Sequence, residues 1–214
     1  MNFRSMIVGA VFIMCSSSLL GGLGGWRRHS WGMPTHALIQ EHILDQTVFA
    51  GFPESTAVIA RRFLCPDGQM GVWLGKADDG EWQVFASVAK DDLLERYWNV
   101  EVKPRSFLEA ASIIQKIESS ESIQTFRRRI DYDSAMRLAG FWSLSLKECE
   151  FGPGPVVFGC VWALTSELNH QVMEGDFSET STSAPTQRMI TLAKNLIAFA
   201  KGELSQKELA ESIE

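Results

Sequence analysis

The residues of this chain with the greatest capacity for chemistry are its histidines and cysteines, of which there are four each. His36 and His42 are six positions apart, whereas two ligands on one helical face need a spacing of three or four. The chain contains no H-E-x-x-H, no paired C-x-x-C, no G-x-x-x-x-G-K-[ST] loop and no G-x-S-x-G elbow. The sequence therefore predicts no metal, no cofactor and no active site of the kind that a linear motif reveals.

A catalytic site in this chain would have to be assembled by the fold from distant residues. His170 is the one histidine in the second half of the chain. Cys160 and Asp133 are a nucleophile and an acid that the fold could bring to it. Asp131 and Asp133 also flank the start of a helical pattern, where capping is the simpler role for a carboxylate. A hydrolase or transferase with such an assembled site is the alternative to a binding protein.

The cysteines bear on the redox compartment. Cys149 and Cys160 flank a Gly-Pro turn and are candidates for a disulfide, although two separately buried thiols fit the same pattern. A bridge between them would leave Cys65 unpaired in its part of the chain, which favours a reducing compartment.

The first 25 residues have the layout of a secretory signal peptide or a membrane anchor. Arg4 precedes a short apolar run, and small residues follow that run. The segment Phe12-Ile13-Met14-Cys15-Ser16 resembles a bacterial lipoprotein signal, and the resemblance implies that Cys15 is lipidated. Met14 departs from that pattern, which has a small residue at this position. The sequence predicts export to the periplasm or anchoring, with the membrane reached only through this segment.

Two observations oppose export. Arg27 and Arg28 follow the apolar run directly, where positive charge hinders translocation. Met33 could also be the true start, so a cytoplasmic protein that begins there is the alternative. We expect residues 26–35 to form a linker, residues 36–202 a single domain and residues 203–214 an acidic tail.

Residues 70–88 predict the β-hairpin that organises this domain. A five-residue loop over residues 76–80 would place Leu74 opposite Trp82 and Phe85 opposite Gly71. A two-residue turn centred on Asp79-Gly80 is the alternative, and it would place Leu74 opposite Phe85. On the second face of this hairpin, Trp73 and Phe85 are the candidate binding residues of an exposed apolar patch.

The remaining elements complete an α+β fold, in which two hairpin regions form an antiparallel sheet covered by three or more amphipathic helices. Helical spacing of apolar residues predicts helices near 106–118, 134–148 and 186–201. Residues 156–164 predict a buried strand and 168–177 its neighbour. Residues 126–129 form a basic patch that we place on a helix, as a solvated end, an ion-pair site or a site for an acidic partner.

Composition excludes some functions. The chain has 214 residues and a formal net charge of -6, so its surface does not attract nucleic acid. We therefore expect an exported or membrane-tethered binding protein without catalysis. It would act through a protein partner, for example as an inhibitor or a neutralising factor.

Overall fold

The computed structural model describes residues 35–53, 56–63, 67–93, 96, 107–149, 160–168 and 171–213. Six strands within these ranges form one sheet in which every neighbouring pair is antiparallel, in the order β4-β3-β2-β1-β5-β6. The strands are β1 (Val58–Phe63), β2 (Met70–Lys76), β3 (Trp82–Ala89), β4 (Ile123–Arg129), β5 (Val161–Leu168) and β6 (Gln171–Ser178).

Five helices within the same described ranges accompany the sheet, which confirms the predicted α+β fold. They are α1 (Thr35–Gln46), α2 (Phe107–Glu118), α3 (Tyr132–Glu148), α4 (Ala184–Lys201) and α5 (Gln206–Glu211). The apolar stripe predicted for the last long helix is buried along α4, and Gly202 follows the helix in the left-handed conformation. No helix in the described part of the chain is both long enough and apolar enough to cross a bilayer.

One face of the sheet is covered by α3 and α4. Alternate residues of the interior strands, such as Val72 and Val84, point to this side and join the apolar faces of the two helices in the largest core cluster. Trp142 of α3 donates its indole N–H to the carbonyl of Thr165 at 3.0 Å, which ties the helix to β5. This face holds most of the buried apolar surface.

The other face of the sheet is covered in part by α1 and α2. Ile39 and Ile43 of α1 and Ile117 of α2 are buried in a second cluster. The rings of Phe49 and Phe52 lie against Gly71, where a Cβ atom would approach both rings to 2.9 Å. The interior of the sheet is therefore buried on both sides.

The β2–β3 hairpin differs from both predicted registers. Lys76 pairs with Trp82 and Leu74 with Val84, so the connection is neither the five-residue loop nor the two-residue turn. The N–H of Gly80 donates to the carbonyl of Ala77 at 2.9 Å, and Gly80 has a φ of +83°. This geometry is a type I turn followed by a left-handed glycine. Leu74 and Val84 still share the buried face, because the pairing moves by two residues rather than one.

The basic segment lies on β4 and not on a helix. Residues of a strand point alternately to opposite faces, which separates Arg128 from Arg127 and Arg129. The guanidinium of Arg128 donates to the carbonyls of Phe199 at 3.1 Å and Leu204 at 2.7 Å. It therefore caps the C-terminal end of α4.

The acidic tail is docked rather than loosely attached. Helix α5 begins with a capping box between Ser205 and Glu208, and Leu209 is fully buried in the main core. Gln206 also donates to the Asp131 carboxylate at the start of α3. The predicted signal or anchor segment and residues 150–159 lie outside the described residues.

The turn geometry of the hairpin leads to a prediction about stability. Gly80→Ala should lower the free energy of unfolding by about 1 kcal/mol, because alanine strongly disfavours a positive φ. Gly140 of α3 is the matched control, since nothing lies within 4 Å of a Cβ placed there. Gly140→Ala should raise the free energy by about 0.5–1 kcal/mol, because alanine is the better helix former. Urea unfolding of both variants measures these changes, and an unchanged Gly80→Ala variant would contradict the turn type.

Candidate functional site

Trp73 and Phe85, the residues predicted to form an exposed binding patch, are buried. Their exposed fractions are 9% and 5%. The two rings face each other across β2 and β3, stacked with centroids 5.7 Å apart. Phe52 covers the pair, with its ring edge-on to Phe85. The pair belongs to a small core on the second face of the sheet and presents no exposed apolar patch.

The predicted disulfide between Cys149 and Cys160 is wrong. Cys149 is a free thiol, buried at the end of α3, where it donates to the carbonyl of Ser145 at 3.3 Å. Burial raises the pKa of the Cys149 thiol above its ordinary value, because the thiolate is poorly solvated there. Cys160 is disulfide-bonded, and its partner lies outside the described residues.

The residues of the alternative catalytic hypothesis are not brought together within the described part of the chain. Asp133 is exposed on the first turn of α3. Cys160 immediately precedes β5 and is oxidised. His170 and the proposed lipidation residue Cys15 lie outside the described residues. Asp131 is the N-cap of α3, as the capping interpretation predicts, and accepts from the Ser134 N–H at 2.9 Å.

The described residues contain one buried charged cluster that the sequence analysis missed. Arg62 of β1 has a side chain that is only 7% exposed. Its Nε donates to Oε2 of Glu179 at 3.0 Å, and its Nη2 lies 3.3 Å from the Sγ of Cys160. Lys194 of α4 binds the other carboxylate oxygen of Glu179. The cluster joins β1, the loop after β6 and α4.

The charges in this cluster compensate one another. Burial opposes ionisation of Glu179, but the hydrogen bond from Lys194 and the charge of Arg62 outweigh it. The pKa of the Glu179 carboxyl is therefore lowered from its ordinary value of 4.5. The signal in the sequence is the Arg61-Arg62 pair inside an apolar strand, because alternation must direct one of the two arginines into the main core.

A different feature of the described residues faces solvent. Tyr132, Met136 and Leu144 of α3 are 60%, 40% and 63% exposed. They belong to one row at i, i+4 and i+12, and the ring of Tyr132 at the start of this row also packs edge-on against Trp82 of β3. We call Tyr132, Met136, Gly140 and Leu144 the α3 row.

Gly140 interrupts the α3 row, because it has no side chain between the exposed side chains of Met136 and Leu144. No atom lies within 4 Å of a Cβ placed at Gly140, so the helix backbone is open to solvent there. Met136 and Leu144 stand one turn before and one turn after this dent. The missing side chain at Gly140 lets the backbone of another helix approach closely, because the i, i+4 ridges of one helix pack into the grooves of its partner.

A search of the described residues for metal sites and comparisons of the chain with known proteins give no indication of a reaction or a ligand. No group of three or more His, Cys, Asp or Glu residues within the described ranges could hold a metal ion. No family model, no curated protein and no solved structure matches this chain.

The buried cluster predicts how stability depends on pH. Because the pKa of Glu179 is lowered in the folded state, its stabilising contribution is present above about pH 4.5 and is lost as the pH falls through the lower folded-state value. Glu179→Gln should lower the free energy of unfolding at neutral pH by about 2–3 kcal/mol, since it leaves the buried guanidinium of Arg62 with only the exposed carboxylate of Asp67, 3.7 Å away. The variant should also lose less stability than the wild type on acidification, measured by urea unfolding across the pH range.

Two controls separate this effect from the general loss of a charge. Glu211→Gln breaks an exposed i, i+4 pair with Lys207 and should change stability by no more than about 0.5 kcal/mol. The double variant Arg62→Met/Glu179→Met should be more stable than Glu179→Gln, because it leaves no isolated buried charge. Equal effects of Glu179→Gln and Glu211→Gln would contradict the account.

Thiol labelling tests the assignment of the cysteines. Iodoacetamide should leave Cys149 unmodified in the native protein, because the thiol is buried and its pKa is raised. Unfolding without a reductant should expose Cys149 to alkylation, whereas Cys160 should require a reductant as well. Peptide mass spectrometry reads both sites, and rapid native alkylation of Cys149 would show that the end of α3 is open.

Proposed function

We propose that this chain is an exported, non-catalytic binding protein that uses the α3 row to bind a helix of a protein partner. The observation that carries the proposal is the exposure of Tyr132, Met136 and Leu144 along one side of a single helix. Several exposed apolar side chains on one helix, with charged residues beside them, indicate a protein interaction site.

The rim of the α3 row is charged on both sides. Asp133 and Arg137 flank its first half, and Lys147 and Glu148 flank its second half; all four residues are exposed. Glu148 is held by Arg188 of α4 at 3.0 Å. An apolar centre with a polar rim is the usual anatomy of a protein interface. Both signs of charge are present, so the rim can orient a partner helix without selecting for net charge.

The oxidised state of Cys160 supports export. Disulfides persist in oxidising compartments such as the bacterial periplasm and are rare in the cytosol. This agrees with the charged start, the apolar run and the small residues that open the sequence. Cleavage, retention or lipidation of that segment at Cys15 are all compatible with the proposal.

Site-specific photo-crosslinking tests the proposed surface. A photoreactive phenylalanine analogue at Met136 or Leu144 should form a crosslink to one partner in the cells that produce the protein. The same analogue at Val172, an exposed apolar residue on β6, is the matched control and should not form it.

The affinity of surface variants for the purified partner is the second measurement in this test. Leu144→Glu should weaken the partner's affinity by about tenfold or more, because a charge replaces a central apolar contact. Val172→Glu should leave the affinity unchanged. Crosslinking at Val172 alone, or full affinity of Leu144→Glu, would refute the proposed function of the α3 row.

A further inference from the structure

The β4 strand lies at one edge of the sheet. It pairs with β3 on its inner side, and no described strand pairs with its outer side. The N–H of Ile130 donates to the carbonyl of Trp82 at 3.0 Å, and the N–H of Lys90 donates to the carbonyl of Ser122 at 2.8 Å. In an antiparallel pair, residues that exchange hydrogen bonds alternate with residues that do not. The even-numbered residues of β4 therefore bond to β3, and the backbone groups of its odd-numbered residues point outward.

The outward positions are Ile123, Thr125, Arg127 and Arg129, and the last three of these residues are exposed. Their side chains lie on the face of the sheet that carries Phe85, because the guanidinium of Arg127 is 5.1 Å from the centroid of that ring. Side chains two residues apart on a strand are separated by about 7 Å. The edge thus combines backbone donors and acceptors that no described strand bonds with two positive charges at alternate positions.

We propose that the β4 edge binds an extended acidic segment of a protein partner, which adds a seventh strand to the sheet. Backbone hydrogen bonds to the outward groups would hold the segment, and its alternate side chains would determine specificity. Glutamate or aspartate opposite Arg127 and Arg129 would share their face, at the short distance of a cross-strand pair.

The charges on this edge favour an acidic strand over other occupants. Arginines on an edge strand repel a second copy of the same edge and any basic strand, which is how edges are protected from unspecific pairing. The ion pair of Arg129 with Asp79 is exposed, with 3.1 Å between Nη2 and Oδ2. Such a pair is weak, so an incoming carboxylate can replace it. Arg128 takes no part, since it is held by the end of α4.

This inference is independent of the α3 row. The β4 edge and the outer side of α3 carry different residues, and variants of one surface leave the other intact. Leu144→Glu should therefore bind an acidic strand as the wild type does, so the two proposals can fail separately.

A synthetic peptide of alternating Glu and Val residues tests the proposal with the full-length chain. The wild type should bind it, and amide exchange measured by NMR should show new protection at Thr125, Arg127 and Arg129. Arg127→Glu/Arg129→Glu should weaken binding by about tenfold or more, because both cross-strand charge pairs become repulsive. Arg127→Gln/Arg129→Gln, which removes the charges without reversing them, should show a smaller loss and serves if the reversed variant does not fold.

Two controls separate strand addition from charge attraction alone. Arg188→Glu/Lys207→Glu makes the same change in net charge at two exposed positions elsewhere and should alter affinity by less than about twofold. A Glu-Val peptide that is N-methylated on its hydrogen-bonding side keeps its charge and loses its donors, and it should bind much more weakly. Equal binding of the methylated peptide, absence of the new amide protection, or no binding of the parent peptide would overturn the proposal.

Discussion

The structure depends on the burial of both faces of β1, the strand at the centre of the sheet. Val58 and Ala60 point into the main core under α3 and α4, and Ile59 points into the small core on the other side. A strand in this position has no solvent face on which to place a charge, yet it contains Arg61 and Arg62. Alternation sends the two arginines in opposite directions, and each needs a partner because an unpaired buried charge is very costly. Glu179 pairs with Arg62, whereas Arg61 lies over the rings of Phe49 and Phe52 with its Nη1 3.8 Å from the carboxylate of Asp45.

This constraint also explains where binding surfaces can lie. The side chains of the interior strands pack in the two cores. The regular hydrogen bonding of a sheet leaves unpaired backbone groups only at its edges. Among the described residues, exposed apolar side chains or outward strand groups occur on the outer side of α3, at the β4 edge and at the β6 edge, where Val172 is exposed. Two adjacent residues of β4 differ in this way. The guanidinium of Arg128 binds the end of α4, whereas Arg127 lies on the opposite face of the sheet and is exposed. Both proposals therefore place recognition at the periphery of a sheet whose centre is committed to stability.

Local signals predicted the three long helices and the cap at the start of α3. The stripe of α4 and the N-cap Asp131 follow from spacing and residue type within a few positions, so no distant contact was needed to find them. The hairpin was predicted with the correct faces but the wrong pairing. The structure adopts neither of the two predicted turns, because Gly80 takes the left-handed position of a three-residue loop. The basic segment was predicted to lie on a helix, and only the ladder with β3 shows that it is a strand.

By itself, the sequence determined the fold class, the approximate extents of the three long helices and the core-facing side of the β2–β3 hairpin, because apolar periodicity reports on neighbours within a few residues. Only the tertiary structure decided which distant residues of the chain contact one another. Arg62 and Glu179 are 117 positions apart, the thiol of Cys149 stays free while Cys160 is oxidised, and Trp73 and Phe85 are covered instead of exposed. These outcomes depend on which strands become neighbours and which segment covers each face. That choice is made by long-range pairing and packing, which no local pattern of residues encodes.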